Sequence, residues 1–403
     1  MPEVEELRAD VAVVGAGPAG SLAALVLARA GIDVALVDRA SFPRDKACGD
    51  GLMPDAMNAL RDVGLDGPVL ADARRHDTLR IYSPNGTAVD IRGQFAVVPR
   101  ARLDSALCEA ATMAGARLLA PVRVLRPLEQ EGRVVGVAGQ ARDGAAITLR
   151  APVTVLATGA GSGPLQAFDV CERTQPSATA VRFYVTVDAG ADVDPGCLCV
   201  SYERRICPGY GWVFPGPGGT YNIGAGYFYD APALPDVTNL RVLLDRFVEA
   251  FAPARTVVRA AVRSTPLFGA PLRTGLTGAR LSRPGLLVVG DAAGLTYSIS
   301  GEGIGKAMES GILAARVICE RGAAGPAVVA EEYELRLRAR LAARFRAYAG
   351  AQRWVAHPRL VDFLAWRAHR GTYVRRQIEG LVNETTDPRG ILSVAGILRS
   401  VFS

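Results

Sequence analysis

Runs of consecutive apolar residues predict buried strands near the beginning of the chain. Residues 11–14, after Asp10, are such a run, and closely spaced glycines follow shortly afterwards. An alanine- and leucine-rich stretch, residues 21–30, then predicts a helix that ends at Gly31. Residues 32–37 predict the second strand and contain the apolar run 34–37. Because a strand, a helix and a strand follow one another in this order, we expect an α/β fold with parallel strands.

Alternation of apolar and polar positions replaces these runs in residues 76–98 and 164–274. The clearest case is a strand that carries Tyr210, Trp212 and Phe214 on one face. A turn rich in glycine and proline follows this strand, and the chain then returns as the second strand of a hairpin. These two segments therefore predict a β-sheet-rich domain.

Three glycines after the first apolar run have the spacing of a dinucleotide-binding turn. Gly15 permits the tight turn, Gly17 lacks the Cβ that would block a pyrophosphate, and Gly20 lets the helix pack closely on the strand. Free N–H groups at the helix start face the phosphates. Asp38, after the second run, is placed to accept a hydrogen bond from a ribose 2′-hydroxyl. The pattern predicts a Rossmann-type site for FAD or NAD rather than NADP, against the alternative of a strand, turn and helix without a ligand.

A second nucleotide-type segment lies far along the chain. Residues 286–289 are an apolar run, Asp291 follows, and the glycine-rich residues 301–305 open another helix. Asp291 is placed to bind a ribityl hydroxyl, and the helix start at Gly303 and Ile304 stabilises negative charge on a reduced flavin ring. Two such segments, far apart in sequence, predict an extended cofactor held at both ends.

The chain shows no internal repeat and no single linker, so we divide it by these signals. From about residue 326 onward the pattern is helical. We predict an FAD-binding domain of residues 1–75, 99–163 and 275–325, a substrate-binding domain of residues 76–98 and 164–274, and a C-terminal helical segment of residues 326–403.

Composition is that of a globular protein, with 49% hydrophobic and 21% charged residues in 403. Glycines interrupt the uncharged run over residues 11–28, so it predicts no membrane span, and the acidic N-terminus does not resemble an export signal. Seven cysteines without a Cys-x-x-Cys pair suit a reducing cytoplasm. Cys197, Cys199 and Cys207 have no histidine nearby, so we predict no metal site.

A formal net charge of +6 comes mostly from arginines late in the chain. Five of them recur on one helical segment; they are Arg336, Arg338, Arg340, Arg344 and Arg346. A solvated helix face is the first interpretation of this pattern, and a peripheral contact with an anionic membrane surface is the alternative. We predict no nucleic-acid partner.

The chain resembles the geranylgeranyl reductase family, within the wider group of FAD-dependent hydroxylase-like proteins. The resemblance spans nearly the whole length and is carried by residues 15–20, 42–52, 100–104, 210–215, 290–294 and 301–304. The glycine motifs identify only the superfamily. The Lys-x-Cys-Gly segment at Lys46, combined with the Tyr-x-Trp-x-Phe-Pro segment at Tyr210, is much more specific.

The resemblance implies which residues contact FAD. Arg100 should contact the diphosphate, Val122 the adenine side through its backbone, and Ala47, Cys48 and Gly49 the flavin ring. The cofactor-contacting residues that we predict are Gly15, Gly17, Ala19, Gly20, Asp38, Arg39, Lys46, Ala47, Cys48, Gly49, Arg100, Val122, Asp291, Gly303 and Ile304. Tyr210, Trp212 and Phe214 are candidate substrate-binding residues, with plain sheet packing as the alternative.

Two residues are candidate acids for the reaction. Cys48 is either a small buried hydrophobe or a proton donor beside the flavin, and we expect nearby positive charge to lower its pKa. Tyr297 stands where related flavoproteins have Asn-Pro, and is either a proton donor or a filler. Residues 157–162 also lack the carboxylate and the cation of the related Ala-Asp-Gly-x-Arg-Ser segment, which puts direct use of a pyridine nucleotide in doubt.

We expect an FAD-dependent reductase that saturates carbon–carbon double bonds of an isoprenoid chain or a related apolar metabolite. The alternatives are an FAD-dependent monooxygenase or halogenase of a specialised metabolite, and a lipid-binding or flavin-sensing protein without catalysis. The electron donor stays open between NAD(P)H and a partner reductase. The expected location is cytoplasmic, with or without peripheral attachment to a membrane.

Overall fold

The computed structural model describes residues 5–172, 175–193, 195–229, 239–276, 278–355 and 357–388. The strands, in chain order, are β1 Glu5–Arg8, β2 Val11–Val14, β3 Val34–Val37, β4 Gly51–Leu52, β5 Arg74–Tyr82, β6 Ala88–Val97, β7 Arg117–Leu119, β8 Val122–Gln130, β9 Arg133–Ala141, β10 Ala146–Arg150, β11 Val153–Leu156, β12 Ala178–Val187, β13 Leu198–Ser201, β14 Gly209–Pro215, β15 Thr220–Phe228, β16 Ala261–Ser264, β17 Phe268–Leu272, β18 Ser282–Arg283 and β19 Leu286–Val288.

Helices alternate with these strands in the first half and dominate the end of the chain. They are α1 Pro18–Arg29, α2 Pro54–Asp62, α3 Asp66–Leu70, α4 Arg100–Met113, α5 Ser162–Ala167, α6 Leu240–Ala250, α7 Ala252–Arg259, α8 Ile304–Arg321, α9 Pro326–Val355, α10 Pro358–Arg370 and α11 Thr372–Val382. The last residues of the predicted C-terminal segment, 389–403, lie outside the described part of the chain.

A six-stranded sheet in the order β18-β19-β11-β2-β3-β7 holds the predicted Rossmann-type unit. Strand β2 pairs in parallel with β3 on one side and with β11 on the other, in the register Val11 to Val34 and Val11 to Val153. All four residues of β2, β3 and β11 are buried. This explains why they are continuous apolar runs, because a parallel strand covered on both faces has no solvent side. The predicted α/β fold is confirmed.

Helices α1, α4 and α8 pack against this sheet and close its core. The side chains of Leu165, Phe168 and Val170 are also buried in this core, although residues 164–170 were expected in the substrate-binding domain. The chain therefore leaves the first core later than the sequence pattern indicated. The pattern misplaced this boundary because a short apolar helix, α5, fits either core.

A nine-stranded sheet in the order β16-β12-β15-β14-β13-β5-β6-β4 forms the second layer, with β17 beside β12. The predicted hairpin is β14 and β15, which pair antiparallel from Gly209–Tyr227 to Pro215–Tyr221. Strands β5 and β6, from the predicted segment 76–98, join the same sheet through the parallel pair β5–β13. A separate four-stranded sheet, β1-β10-β9-β8, was not predicted.

The C-terminal helices lie against both layers. Helix α9 packs on α8 of the first layer, and α10 and α11 pack against β6 of the second. Within the described ranges, no helix combines the length and the apolar content that crossing a bilayer requires.

Candidate active site

A cavity of about 790 Å³ runs between the two layers and under the C-terminal helices. One end is polar and is lined by the glycine loops of the six-stranded sheet, among them Gly15, Gly17 and Gly303. The other end is apolar and is lined from two sides by the nine-stranded sheet and by α10 and α11. Its apolar lining includes Leu79, Ile81, Val89, Val200, Trp212, Phe214, Val361, Leu364, Ala365, Ile378, Leu381 and Val382. The fold thus joins a nucleotide-type cradle to a hydrophobic compartment.

The first glycine loop has the geometry that a pyrophosphate requires. Gly15 has φ +106°, a backbone conformation that residues other than glycine rarely adopt. A Cβ on Gly20 would overlap the carbonyl oxygen of Gly15, and Gly20 does not line the cavity, so it serves the close packing of helix on strand. A Cβ on Gly17 would instead project into the cavity at the start of α1. The Nε of Arg44 nearby is buried and lacks a hydrogen-bond partner among the described residues.

Asp38 holds this loop together from the end of β3. Its Oδ2 accepts a 2.8 Å hydrogen bond from the N–H of Ala16, and its Oδ1 accepts one of 2.9 Å from Ala40. The guanidinium of Arg44 lies 3.5 Å from the same carboxylate. Asp38 lines the cavity, as does the neighbouring exposed Arg39. The carboxylate therefore shapes the loop, and its contact with a ribose stays a prediction.

The second glycine loop lies at the start of α8. A Cβ on Gly303 would overlap the hydroxyl of Thr296 and lie 3.2 Å from Oδ1 of Asp291, so only glycine lets these groups approach the helix. Thr296 donates a 2.7 Å hydrogen bond to that oxygen, and Lys46 Nζ lies 3.7 Å from the other. Asp291, Gly303 and Ile304 all line the cavity beside Ala19. The two predicted nucleotide segments are thus brought together.

The loop that carries Cys48 lies where the polar and apolar ends of the cavity meet. Lys46, Ala47, Cys48 and Gly49 all line the cavity. Burial raises the pKa of the Cys48 thiol, and the positive charge of Arg100 offsets this only in part. The expectation of a lowered pKa is therefore wrong, because desolvation of the thiolate outweighs the nearby cations. Cys48 remains a protonated thiol at neutral pH.

Asp50 is the residue of this loop that the sequence did not single out. Its side chain is fully buried, and it adopts φ +64°. Tyr184 donates a 2.5 Å hydrogen bond to its Oδ2, and Asn222 Nδ2 donates one of 2.8 Å to the same atom. Burial raises the pKa of Asp50 to about 6, although both of these hydrogen bonds act to lower it. Asp50 ties the Cys48 loop to strands β12 and β15.

Arg100 reaches the cavity from the start of α4 with its charge already paired. Its Nε and Nη2 both donate 2.8 Å hydrogen bonds to the buried carboxylate of Asp104. The pair leaves Arg100 on the cavity wall, with fewer free donors for a diphosphate than the resemblance implied. Val122 also lines the cavity, but its N–H donates to the carbonyl of Asp38 at 2.7 Å and is not available to an adenine.

The three aromatic residues of β14 line the cavity and also pack in the core. Tyr210 donates a 2.8 Å hydrogen bond to the carbonyl of Ser300 in the second glycine loop. The ring of Phe214 lies over Gly49 and Gly51, where an added Cβ would come within 3.0–3.2 Å of it. Trp212 and Phe214 share a hydrophobic cluster with residues of α10. Both interpretations from the sequence, a pocket wall and sheet packing, thus apply to the same side chains.

Tyr297 does not join the other predicted site residues. It is 1% exposed, lies outside the cavity lining, and donates a 2.9 Å hydrogen bond to Glu384. Its ring stacks on Tyr348 at 4.3 Å between centroids. Burial and the charge of Glu384 raise the pKa of Tyr297. We therefore withdraw Tyr297 as an acid that reaches substrate, because its hydroxyl is directed into a charge cluster instead.

Carboxylates partner four of the five arginines on α9. Arg336 bridges Glu320 and Glu332, and Arg338 pairs with Glu334. Arg340 pairs with Glu309, and Arg344 pairs with Glu384. This face therefore carries less net positive charge than the sequence pattern indicated. Cys197 and Cys199 approach to 3.8 Å between sulfurs, and no group of three potential ligands arranged for a metal occurs in the described ranges.

Comparison with known proteins decides the family. Residues 8–211 match a family described as an FAD binding domain. The menaquinone reductase of Mycolicibacterium smegmatis is 34% identical over 81% of this chain and 81% of its own length. The digeranylgeranylglycerophospholipid reductase of Methanosarcina acetivorans is 30% identical over 78% of this chain and 76% of its own. The chain belongs to the geranylgeranyl reductase-like family of FAD-dependent oxidoreductases. The glycine cradle, the open space at Gly17 and the buried Nε of Arg44, which has no partner among the described residues, fit FAD as its cofactor.

Solved structures show how widely the fold of this geranylgeranyl reductase-like chain is shared. A geranylgeranyl bacteriochlorophyll reductase-like protein from Thermoplasma acidophilum matches with a TM-score of 0.77 at 23% identity, covering 98% of this chain and 96% of that one. A flavin-dependent brominase also matches with a TM-score of 0.77, at 20% identity and 98% of both chains. At these identities the likeness concerns the fold alone.

Proposed function

We propose that this FAD-dependent oxidoreductase saturates carbon–carbon double bonds in an isoprenoid chain. The observation that carries the proposal is the single cavity that joins the glycine cradle to an apolar compartment. An extended aliphatic chain has no polar groups to satisfy, so walls of valine, leucine, isoleucine and aromatic rings suit it. Menaquinone and digeranylgeranylglycerophospholipids, the molecules in the relatives' names, have such a chain in common and differ in their head groups.

FAD, when bound, supplies hydride chemistry, and the residues of this chain supply binding, orientation and proton control. Gly15, Gly17 and Asp38 would hold the adenosine and pyrophosphate half. Asp291 and the start of α8 at Gly303 would hold the other half. Backbone N–H groups at a helix start favour negative charge nearby, so this position suits a reduced ring.

The Cys48 loop positions a proton donor at the junction between the two compartments. An isolated alkene is a poor hydride acceptor, so the second carbon must receive a proton as charge develops. The Cys48 thiol is protonated at neutral pH, and Asn222 fixes its backbone through a 2.7 Å hydrogen bond to its carbonyl. Trp212 and Phe214 pack against Gly49 of the same loop and place apolar surface beside it. We propose Cys48 as the group that gives its proton to the substrate carbon.

The proposal is tested by anaerobic incubation of the chemically reduced holoenzyme with polyprenyl lipids of two head-group classes, a quinone and a glycerophospholipid. Mass spectrometry should show products heavier by pairs of hydrogen atoms, with the added mass in chain fragments. Mass added only to the quinone ring would move the assignment to head-group reduction. If the masses stay unchanged while the flavin is still bound and reducible, the proposed reduction of double bonds is overturned. Cys48→Ala should slow turnover, and Cys319→Ala, on the outer surface of α8, is the matched control.

A monooxygenase or halogenase is the second candidate function, since the brominase has the same fold. Products that form only when oxygen is admitted would favour it. The electron donor, either NAD(P)H or a partner reductase, is identified in the same assay by replacing the chemical reductant. Because polyprenyl lipids reside in bilayers, we also propose a peripheral contact of this enzyme with membranes inside the cell, which co-flotation with lipid vesicles tests.

A further inference from the structure

Glu302 lies between Gly301 and Gly303 in the second glycine loop and is not among the residues predicted to contact FAD. Its side chain lines the cavity beside Gly301 and Gly303. Gly303 belongs to the loop that fits the flavin, and Gly301 contacts the hydroxyl of Tyr210 on the substrate strand. A carboxyl group at this position therefore lies between the cofactor compartment and the substrate compartment.

A buried charge cluster interacts electrostatically with Glu302. At its centre Lys306, 1% exposed, contacts three carboxylates: Asp55 at 3.4 Å, Glu309 at 2.7 Å and Glu384 at 2.8 Å. Asp55 lies on the cavity wall, and its carboxyl group presses on Gly305, where no other residue would fit. Arg344 and Tyr297 bind the same oxygen of Glu384. The cluster thus reaches from the cavity to partly exposed groups on α8 and after α11.

We propose that Glu302, on the cavity wall between the two glycines of the second loop, is the proton reservoir of the cavity, and that the Asp55–Lys306–Glu384 cluster supports it in this role. The inference rests on the proposed function, since it concerns the same cavity. Saturating one double bond takes up two electrons and two protons overall. An external reductant supplies the electron pair through FAD, and water supplies both protons. After Cys48 has given its proton to the substrate carbon, Glu302 passes its O–H proton to the Cys48 thiolate. Glu302 is then a carboxylate, and it regains a proton from water.

The electrostatics of the site agree with this role. Burial raises the pKa of Glu302 to about 8, and the negative charges of Asp55 and Glu384 add to the effect, while Lys306 opposes it. At neutral pH Glu302 is therefore a protonated acid. The titratable groups that interact with it come from four elements and two loops; they are Asp55, Lys306, Glu384, Tyr202, Tyr210 and Tyr348. Burial raises the pKa of all three tyrosines, so they stay neutral where Glu302 titrates.

The test is the midpoint potential of the bound flavin as a function of pH, measured without isoprenoid substrate. Reduction adds negative charge beside Glu302 and raises its proton affinity, so above about pH 8 it should take up one proton with the electron pair. Uptake of one proton per two electrons steepens the plot of midpoint potential against pH by about 30 mV per pH unit. The pH at which this slope changes is the break. Because no substrate is present, failure of the isoprenoid assignment would leave this result unchanged.

Four variants decide the outcome. Glu302→Gln should remove the break in slope, and Glu302→Asp, which keeps a carboxyl group, should retain one. Glu384→Gln removes a negative neighbour and should move the break to lower pH, a shift that a merely structural residue would not cause. Glu320→Gln, at an exposed position on α8, should behave as the wild type. A break that persists in Glu302→Gln, or that does not move in Glu384→Gln, would overturn the proposal.

Discussion

The indole of Trp212 lies directly over Gly224 of the neighbouring strand, and any Cβ at that position would overlap its ring. The ring is held there by a 2.9 Å hydrogen bond from its Nε1–H to Asn222. Asn222 in turn donates to the carbonyl of Cys48 and to the carboxylate of Asp50. The absence of one methyl group on β15 therefore helps to position the loop that carries the proposed proton donor.

Gly224→Ala should displace Trp212 and lower the free energy of unfolding by about 1–3 kcal/mol, the usual cost of overpacking a core. It should also slow turnover more than it weakens flavin binding, because the displaced ring releases Asn222 and the Cys48 loop. Urea denaturation and flavin titration measure the two effects. Gly67→Ala is the control, since a Cβ there meets nothing within 4 Å. Equal stability losses in both variants would contradict this account.

Removal of Asp104 should strongly destabilise the protein. Asp104 is fully buried and forms two hydrogen bonds to Arg100, so Asp104→Ala leaves an uncompensated buried cation at a cost of about 3–5 kcal/mol. The exposed pair of Asp62 and Arg316 is the matched control, and Asp62→Ala should change stability by less than about 1 kcal/mol. Chemical denaturation of the apoprotein compares them. Similar midpoints for the two variants would show that the buried pair contributes little.

Asp50 should make stability fall as the pH rises. Its folded-state pKa, about 6, lies above the ordinary value of 3.8, so the folded protein holds this proton more tightly than the unfolded chain does. The stabilisation is present at low pH and is lost as the pH rises through about 6. Relative to Asp50→Asn, the wild type should lose about 2 kcal/mol between about pH 4.5 and about pH 7.5. Denaturant titrations at several pH values measure this difference, and Asp188→Asn, at an exposed position, should not reproduce it.

Cys48 should react slowly with alkylating reagents. The thiolate is the reactive form, and burial raises the pKa of both the Cys48 and the Cys319 thiol. Because Cys48 is half-buried in the cavity wall and Cys319 is exposed, labelling of Cys48 by iodoacetamide near neutral pH should be several-fold slower. The rate at Cys48 should increase as the pH rises. Peptide mass spectrometry after timed labelling gives both rates in one experiment. Preferential labelling of Cys48 would restore the expectation of a thiolate that the structure overturned.

Local patterns predicted the parts of the site that are local in sequence. The Gly15–Gly17–Gly20 loop and the residues around Gly303 were identified because each strand, turn and helix start lies within about twenty consecutive residues. The β14–β15 hairpin followed from alternation and a single turn. Such features depend on backbone geometry and periodicity, which a short stretch of sequence carries completely.

The rest depended on contacts between distant residues. Asp50 owes its place to Tyr184 and Asn222, which are 134 and 172 positions away. Tyr297 became a candidate acid because it stands where related flavoproteins have Asn-Pro, and only Glu384, 87 positions later, shows where its hydroxyl is directed. The pKa of Cys48 was expected to fall because charge is visible in a sequence and burial is not. Desolvation of the thiolate raises the pKa instead.

The hydrophobic compartment draws its opposing walls from parts of the chain that are nearly 300 residues apart, β5 near Leu79 and α11 near Leu381. The glycine loops at Gly15 and Gly303, which would hold FAD, belong to neither wall. Exchanges of aliphatic side chains on α10 and α11 should therefore change the width and depth of the apolar compartment, and with them the length of the isoprenoid chain that we propose as substrate. The glycine loops that would hold FAD stay unaltered by such exchanges.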